Sequence, residues 1–203
     1  MLNILTVCTG NICRSPLAAQ VLSARLLPLG VHVSSAGTRA PAGRPMTPEA
    51  RSLAAARGVG DDESGQHRSR LLTSDLLRSA DLILAMSREH RRAIVEMEPA
   101  QLRRVFTIRE FARLTEGVPD EEFTRLRASA PTEGDDERYR PFDDVLAAVA
   151  ARRGFVEAPA NASDDDVIDP YLQPIDVYER CGEELGPAID AVERVVRLAH
   201  RGR

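Results

Sequence analysis

The 203-residue sequence lacks tryptophan, has only 4% aromatic residues and contains three cysteines. Three is an odd number and too few for a disulfide scaffold, which argues against a cysteine-stapled secreted domain. No apolar run approaches the roughly 20 residues that a membrane helix needs. The start of the chain also lacks the basic and apolar regions of a signal peptide. We therefore expect a cytoplasmic protein that does not bind membranes.

An excess of basic charge is also missing. The formal net charge is −4, which does not suit a nucleic-acid-binding protein. Hydrophobic residues make up 43% of the chain and charged residues 29%, an ordinary globular balance in a chain long enough to bury one core. We expect a single domain over residues 1–203, without internal repeats. The composition leaves the oligomeric state open.

Short apolar segments alternate with helical periodicity in the first part of the chain. Strands are predicted at residues 2–7, 31–35, 81–86 and 104–107. Helices are predicted at residues 17–27, 47–57, 74–79, 87–96 and 109–113. This alternation indicates an α/β fold with a parallel sheet covered by helices on both faces. Ligands of such sheets bind at the carboxyl ends of the strands.

The second part of the chain has a different character. Residues 115–165 are rich in Asp, Glu and Arg, with helices predicted at 120–128 and 142–153. The acidic stretch 161–166 is expected to be a mobile loop. A long amphipathic helix is predicted from 174 to 200, where Pro187 is expected to kink or divide it. Cys181, on this helix, is expected to be a packing residue.

The strongest chemical signal is VCTGNICRSP, residues 7–16, directly after the first predicted strand. Gly10 allows a tight turn, and Asn11 tolerates a left-handed backbone. A helix that starts near Pro16 would add its dipole to inward-pointing backbone N–H groups, which together form an anion site. Arg14 offers a planar fork that fits two oxygens of a phosphate.

Cys8 lies where this loop begins. Amide dipoles and a nearby guanidinium stabilise a thiolate, so Cys8 is expected to be a nucleophile without an adjacent histidine base. Ser15 can donate a hydrogen bond to the sulfur. A single cysteine is commonly only a small core residue. Zinc would need a second ligand pair beside Cys8 and Cys13, and a nucleotide-binding loop would need Gly-x-x-x-x-Gly-Lys, so we expect no metal and no cofactor.

These residues resemble a known family. VCTGNICRSP is similar to the signature of the low-molecular-weight protein tyrosine phosphatases. Further family-like segments are SSAGT (34–38), HRSRLL (67–72), DLILAM (81–86), REFARL (109–114) and DVIDPY (166–171). The resemblance implies a three-layer, flavodoxin-like fold with a four-stranded parallel sheet in the order 2-1-3-4. Residues 115–165 would be an insertion longer than the family has there.

The resemblance also implies roles for individual residues in a metal-independent phosphomonoester hydrolase. Cys8 would attack phosphorus and form a phosphocysteine, while Asp169 would protonate the leaving oxygen and then activate water. The phosphoryl group would be held by Thr9, Gly10, Asn11, Ile12, Cys13, Arg14 and Ser15. The loop would be supported by Asn11, Ser15, Ser35 and His67.

Three more expectations complete the predicted site. Cys13 matches the second cysteine of the family, which can form a reversible disulfide with Cys8 and protect it from overoxidation. Pro170 stiffens the loop of the acid, and Tyr171 is expected to wall the pocket. The other histidines are expected to be structural or surface residues; they are His32, His90 and His200.

The substrate implied is a phosphotyrosine protein or a small aryl phosphate, with inorganic phosphate as the product. A relative that dephosphorylates arginine carries a smaller, polar residue where Ile12 stands, so Ile12 favours tyrosine. Arsenate reductases of similar fold use further cysteines as a relay. Besides Cys8, this chain has only Cys13 and the distant Cys181. A phosphate-binding module without turnover is a further alternative. The intact trio of Cys8, Arg14 and Asp169 argues against it.

Overall fold

Four short strands form the centre of the computed structural model, which describes residues 1–128 and 142–200. They are β1 (Asn3–Cys8), β2 (His32–Gly37), β3 (Leu82–Ala85) and β4 (Val105–Thr107). All pairings are parallel and the order is β2-β1-β3-β4. The expected sheet is confirmed. Because β2 lies on one side of β1 and β3 on the other, the connections lead away from β1 in opposite directions, and a crevice opens beyond its carboxyl end.

Nine α-helices lie in the described ranges. They are α1 (Arg14–Leu26), α2 (Pro48–Ala55), α3 (Asp61–Gln66), α4 (Ser74–Ser79), α5 (Arg88–Met97), α6 (Ile108–Thr115), α7 (Asp120–Ala128), α8 (Asp143–Ala151) and α9 (Ile175–Ala199). Eight of them were predicted. The ninth, α3, has the sequence DDESGQ, which offers no apolar period from which a helix could be predicted.

Side-chain caps fix where several helices begin. The hydroxyl oxygens of Thr47, Thr73, Ser87 and Thr107 each accept a backbone N–H from the first turn of α2, α4, α5 and α6. At α6 the cap is reciprocal, because the Glu110 carboxylate also accepts the N–H of Thr107. Such caps stabilise a helix by about 1 kcal/mol each. They place the starts of α5 and α6 at the carboxyl edge of the sheet.

The strands send alternate side chains into two hydrophobic cores. On one face of β1, Leu5 and Val7 pack in the core that contains Leu77 of α4 and Ile94 of α5. On the other face, Ile4 belongs to the larger core that contains α1, α6 and α9. The three-layer arrangement is therefore confirmed. Each fully buried aliphatic side chain stabilises it by roughly 1.5–3 kcal/mol.

The segment between α6 and α9 joins the larger core. Phe123 of α7 and Val145 of α8 are buried in it. The Arg194 guanidinium lies 5.5 Å from the centre of the Phe123 ring, and its Nε is 2.8 Å from the Asp120 carboxylate. The predicted insertion at 115–165 includes residues 129–141, which lie outside the described residues.

The stretch 161–166, predicted to be a mobile loop, contains regular structure. The segment contains a 3-10 turn, Ala162–Asp165, with a reciprocal cap at its start. The Arg113 guanidinium lies 2.8 Å from the Asp165 carboxylate, and the Arg88 guanidinium lies 2.9 Å from the Asp166 carboxylate. The acidic side chains that suggest a solvated loop instead form ion pairs with two arginines, one on α5 and one on α6. Both arginines hold the chain at the start of DVIDPY.

Pro187 does not divide α9, which runs unbroken from Ile175 to Ala199. A proline inside a helix costs about 3 kcal/mol because it removes one hydrogen bond and crowds the preceding turn. Ten residues of α9 are buried against the core, and their burial outweighs that cost. No helix in the described residues is long and apolar enough to cross a membrane.

The end of β2 is covered by the chain at 70–72. Gly37 and Leu71 form an isolated parallel bridge, in which the Gly37 N–H donates to the Arg70 carbonyl at 3.0 Å and the Leu72 N–H donates to the Gly37 carbonyl at 2.8 Å. A Cβ at Gly37 would lie 2.5 Å from the Thr9 carbonyl oxygen, so only glycine fits. The contact brings this segment against the loop that follows β1.

Candidate active site

The loop after β1, residues 8–15, is termed the phosphate loop below. Asn11 has φ of 53°, the left-handed conformation that its type suggested. Its side-chain amide donates to Ser15 Oγ at 3.0 Å and to Ser35 Oγ at 2.8 Å. Its amide oxygen accepts the Arg70 N–H at 3.0 Å, and its carbonyl lies 2.8 Å from His67 Nε2. The four predicted supporting residues are brought together around Asn11.

His67 holds the phosphate loop as a hydrogen-bond donor. A carbonyl oxygen can only accept, so Nε2 must carry the hydrogen that binds Asn11. Burial lowers the pKa of His67, and the nearby Arg68 and Arg70 guanidiniums lower it further. The ring is therefore neutral at neutral pH, with Nε2 protonated and Nδ1 bare.

The sulfur of Cys8 lies at the base of this loop and is almost completely buried. The Asn11 backbone N–H donates to it at 3.2 Å, and Ser15 Oγ lies 3.0 Å away. Ser15 Oγ accepts the Asn11 side-chain amide and also donates to the Ala36 carbonyl at 3.4 Å, so its one hydrogen is shared between that carbonyl and the sulfur. The backbone of Asn11 and the hydroxyl of Ser15 thus both contact the sulfur.

Arg14 and Asp169 form an ion pair. Arg14 is 5% exposed, and its Nη1 donates to the Val167 carbonyl at 3.1 Å. Its Nη2 lies 2.6 Å from Asp169 Oδ2, although the side chain of Asp169 is 53% exposed. The other carboxylate oxygen of Asp169 accepts the Tyr171 N–H at 3.2 Å. DVIDPY thus delivers one carboxylate to the phosphate loop, as the sequence predicts.

These groups share a cavity of about 220 Å³. It is lined by Cys8, Thr9, Gly10, Ile12, Cys13, Arg14, Arg39, Pro41, Asp169 and Tyr171. The three predicted catalytic residues and the predicted wall all belong to this set. Arg39 and Pro41 come from the loop after β2, where no aromatic residue is available. Asn11 and Ser15 are fully buried and support the cavity from beneath.

The three cysteines are all free thiols and all buried. Cys13 Sγ lies 3.6 Å from Thr47 Oγ1 and 3.7 Å from the Tyr178 hydroxyl. Burial raises the pKa of Cys13. Burial also raises the pKa of Cys181 to about 12, which keeps this thiol protonated and inert in the core. The prediction that Cys181 is a packing residue is confirmed.

His90 is the main residue that sequence reasoning left outside the site. Its Nε2 lies 2.8 Å from Thr9 Oγ1 and its Nδ1 lies 2.8 Å from Ser87 Oγ. The ring is 3% exposed, and burial together with the positive charge of Arg14 lowers its pKa to about 4. Its position in the sequence could have indicated this contact. His90 lies in the first turn of the helix that follows β3, and β3 is the strand beside β1.

Comparison with known proteins gives a consistent result. Residues 3–153 match the family described as low molecular weight phosphotyrosine protein phosphatase. A probable low molecular weight protein-tyrosine-phosphatase, EpsP of Ralstonia solanacearum, is 43% identical over 107 residues, which is 53% of this chain and 70% of that protein. A protein-arginine-phosphatase of Geobacillus stearothermophilus is 39% identical over 114 residues, 56% of this chain and 74% of its own length.

Solved structures share the fold. The YwlE arginine phosphatase from Geobacillus stearothermophilus superposes with a TM-score of 0.65 at 28% identity, covering 97% of this chain and 94% of that one. A low molecular weight protein tyrosine phosphatase from T. tengcongensis superposes with a TM-score of 0.63 at 29% identity, covering 95% and 97%. Sequence, sheet order and the loop after β1 agree, and the chain belongs to the low molecular weight phosphotyrosine protein phosphatase family.

Proposed function

We propose that this chain hydrolyses phosphotyrosine in proteins, and small aryl phosphates, through a phosphocysteine intermediate. One observation carries the proposal. The Cys8 sulfur, the Arg14 guanidinium and the Asp169 carboxylate line a single cavity of about 220 Å³. A nucleophile, an anion-binding group and a proton donor are the three parts that this reaction needs.

In the first step, the Cys8 thiolate attacks phosphorus as the bond between phosphorus and the phenolic oxygen breaks. Protonated Asp169 gives its proton to that oxygen, so tyrosine leaves as a neutral phenol. The Arg14 fork and the backbone N–H groups of the phosphate loop bind the other three phosphoryl oxygens, on which charge is held in the transition state.

In the second step, Asp169 is a carboxylate and takes a proton from a water molecule. The water oxygen attacks phosphorus, the sulfur–phosphorus bond breaks, and inorganic phosphate is released. The electron pair of that bond returns to Cys8. Ser15 and the Asn11 N–H, which lie 3.0 and 3.2 Å from the sulfur, stabilise the departing thiolate.

The cavity wall supports tyrosine as the substrate. Ile12 presents an apolar side chain, which suits a phenyl ring better than a guanidinium, and Tyr171 offers an aromatic ring that a phenyl ring can pack against. Protein-arginine phosphatase activity is the second candidate, because relatives with that name share 39% and 35% of aligned positions with this chain. Arsenate reduction and phosphate binding without turnover are the remaining alternatives.

The test starts with p-nitrophenyl phosphate. Parent protein should hydrolyse it, and Cys8→Ser should abolish turnover, whereas Cys181→Ala, which removes a buried thiol that does not line the cavity, should not. Rapid acid quenching followed by mass spectrometry should find one phosphoryl group on the peptide that contains Cys8. Hydrolysis that survives Cys8→Ser would contradict the mechanism.

A panel of phosphopeptides then decides the substrate class. We expect the largest kcat/KM for phosphotyrosine, a smaller value for phosphoarginine, and none for phosphoserine, whose short side chain does not reach Cys8 from the rim. Arsenate reduction serves as the control reaction. A preference for phosphoarginine would select the second candidate, and phosphate binding without hydrolysis would select the binding module.

We further propose that Cys13 is the redox partner of Cys8, since both thiols line the cavity. Peroxide should inactivate the parent reversibly, through loss of two thiol hydrogens and formation of one disulfide while peroxide is reduced to water. Cys13→Ala should be inactivated without recovery by dithiothreitol. Equal recovery in both proteins would exclude this role.

Two broader features belong to the same proposal. A catalytic thiolate requires a compartment that keeps thiols reduced, which supports a cytoplasmic location. The contacts of α7 and α8 with the larger core support one phosphatase domain that includes the long segment after α6. Limited proteolysis should then leave these helices attached, and fractionation should place the protein with cytoplasmic markers.

A further inference from the structure

Thr9 carries a hydroxyl group that the mechanism above does not use. Thr9 lines the cavity, and its Oγ1 lies 2.8 Å from Nε2 of the buried His90 ring. The Nδ1 atom of His90 lies 2.8 Å from Ser87 Oγ, at the start of α5. Ser87, His90 and Thr9 therefore form a hydrogen-bonded chain that ends at the cavity.

The protons of this chain can be ordered in two ways, because a neutral imidazole has one N–H. Ser87 Oγ already accepts the backbone N–H of His90 at 3.3 Å, which leaves its own hydrogen available. In the inward order, Ser87 donates to Nδ1, Nε2 donates to Thr9, and the Thr9 hydrogen points into the cavity. In the outward order, Thr9 donates to Nε2 and presents only lone pairs to the cavity.

A bound phosphoryl group distinguishes these orders. Its oxygens carry negative charge, so they attract the free Thr9 hydrogen of the inward order and repel the lone pairs of the outward order. Within residues 1–128 and 142–200, Thr9 Oγ1 has no hydrogen-bond partner besides His90. The charged groups that act on the ring are Arg14, Arg39, Asp166 and Asp169, and the ring is neutral at neutral pH.

We infer that His90 is a positioning residue that holds the Thr9 hydroxyl as a hydrogen-bond donor to an oxygen of the bound phosphoryl group. The inference rests on the proposed function, because it assigns another donor to the same site. It gives the phosphate loop a side-chain hydroxyl donor in addition to its amides and Arg14. The chain from α5 aligns this donor before the substrate arrives, which lowers the ordering cost of binding.

The proton order can be measured directly. Proton–nitrogen correlation NMR of the labelled protein with inorganic phosphate should show His90 protonated at Nε2 and bare at Nδ1. His67 is an internal reference for this tautomer, because its Nε2 faces the Asn11 carbonyl. The signals are assigned by loss in His90→Gln and His67→Gln. A phosphate complex in which His90 is protonated at Nδ1 and bare at Nε2 would overturn the inference.

Kinetics provide a second, independent measurement. Thr9→Val removes the hydroxyl at nearly constant shape and should lower kcat/KM for p-nitrophenyl phosphate about tenfold or more, as expected for one hydrogen bond to a charged group. Thr9→Ser should recover most of this loss. His90→Leu should also lower kcat/KM, and the double variant should be no worse than Thr9→Val, because His90 acts through Thr9.

A purely structural role would give another result. Two independent packing defects would add in the double variant, and Thr9→Val would stay within about twofold of the parent. Either outcome would overturn the inference. If the parent does not hydrolyse aryl phosphates, the proposed function fails, yet the NMR measurement with phosphate still decides the role of His90. If the parent is active and Thr9→Val equals it, only this inference fails.

Discussion

The guanidinium of Arg14 and the carboxylate of Asp169 hold each other directly, with 2.6 Å between Nη2 and Oδ2. The residue expected to bind phosphate and the residue expected to protonate the leaving group are thus paired before a substrate enters. Arg14 keeps a second anchor on the Val167 carbonyl, whereas the Asp169 side chain is half exposed. An incoming phosphoryl group therefore competes with a half-exposed carboxylate for a buried guanidinium.

Replacement of this carboxylate should separate binding from catalysis. Asp169→Asn removes the general acid and should lower kcat about a hundredfold or more. It also removes a negative charge that competes for Arg14, so the inhibition constant of inorganic phosphate should fall severalfold. Both quantities come from steady-state assays with p-nitrophenyl phosphate. Asp176→Asn, in the first turn of α9, is the control. Weaker phosphate binding in Asp169→Asn would contradict the competition.

Asn11 combines a left-handed backbone with a buried amide, and two substitutions separate these contributions. Asn11→Gly keeps the backbone freedom but loses the hydrogen bonds to Ser15 and Ser35. Asn11→Ala loses both and should be less stable than the glycine variant by about 1 kcal/mol, the cost of a left-handed alanine. Urea unfolding measures the difference. Equal stability of the two variants would show that the loop relaxes out of this conformation.

Leu172 is the other non-glycine residue with positive φ within residues 1–128 and 142–200, at 59°, and it is 81% exposed. Asparagine accepts this conformation with less strain, so Leu172→Asn should raise the free energy of unfolding by about 0.5–1 kcal/mol. Leu27→Asn is the matched control, because Leu27 is also exposed but has φ of −48°. Thermal unfolding of both variants makes the comparison, and a gain shared by both would argue against strain.

The buried His90 ring should make stability depend on pH. Its pKa is lowered from 6.5 to about 4, so between these values the unfolded chain binds a proton that the folded protein does not. The free energy of unfolding should therefore fall as the pH drops through this window, by on the order of 1 kcal/mol per pH unit.

His90→Gln should flatten this dependence, as judged from urea unfolding at several pH values. A residual slope of the same sign is expected from His67 and His200, because burial lowers their pKa values as well. His32→Gln, on the exposed part of β2, is the control. An unchanged slope in His90→Gln would show that this ring is not the group that titrates.

Local sequence patterns were sufficient to predict the phosphate loop and the parallel sheet. The turn chemistry of Gly10 and Asn11 and the apolar strand before them predict the phosphate loop, and the order of strands and helices predicts the sheet. The contacts of His90 and Arg70 were not predictable from spacing, because they join the phosphate loop to segments about 60 and 80 residues further along the chain. The prediction that Pro187 divides the last helix is wrong, because local propensity is outweighed by burial of a whole helix face.

The bridge between Gly37 and Leu71 has a consequence for solubility. Strand β2 lies at one end of the sheet, where unpaired backbone groups invite association with a second molecule. The chain that covers the carboxyl end of β2 also carries His67 and Arg70, which hold Asn11. Damage that detaches residues 70–72 would leave the carboxyl end of β2 unpaired, and it would also remove contacts that support the phosphate loop. The same damage would therefore favour both aggregation and loss of activity.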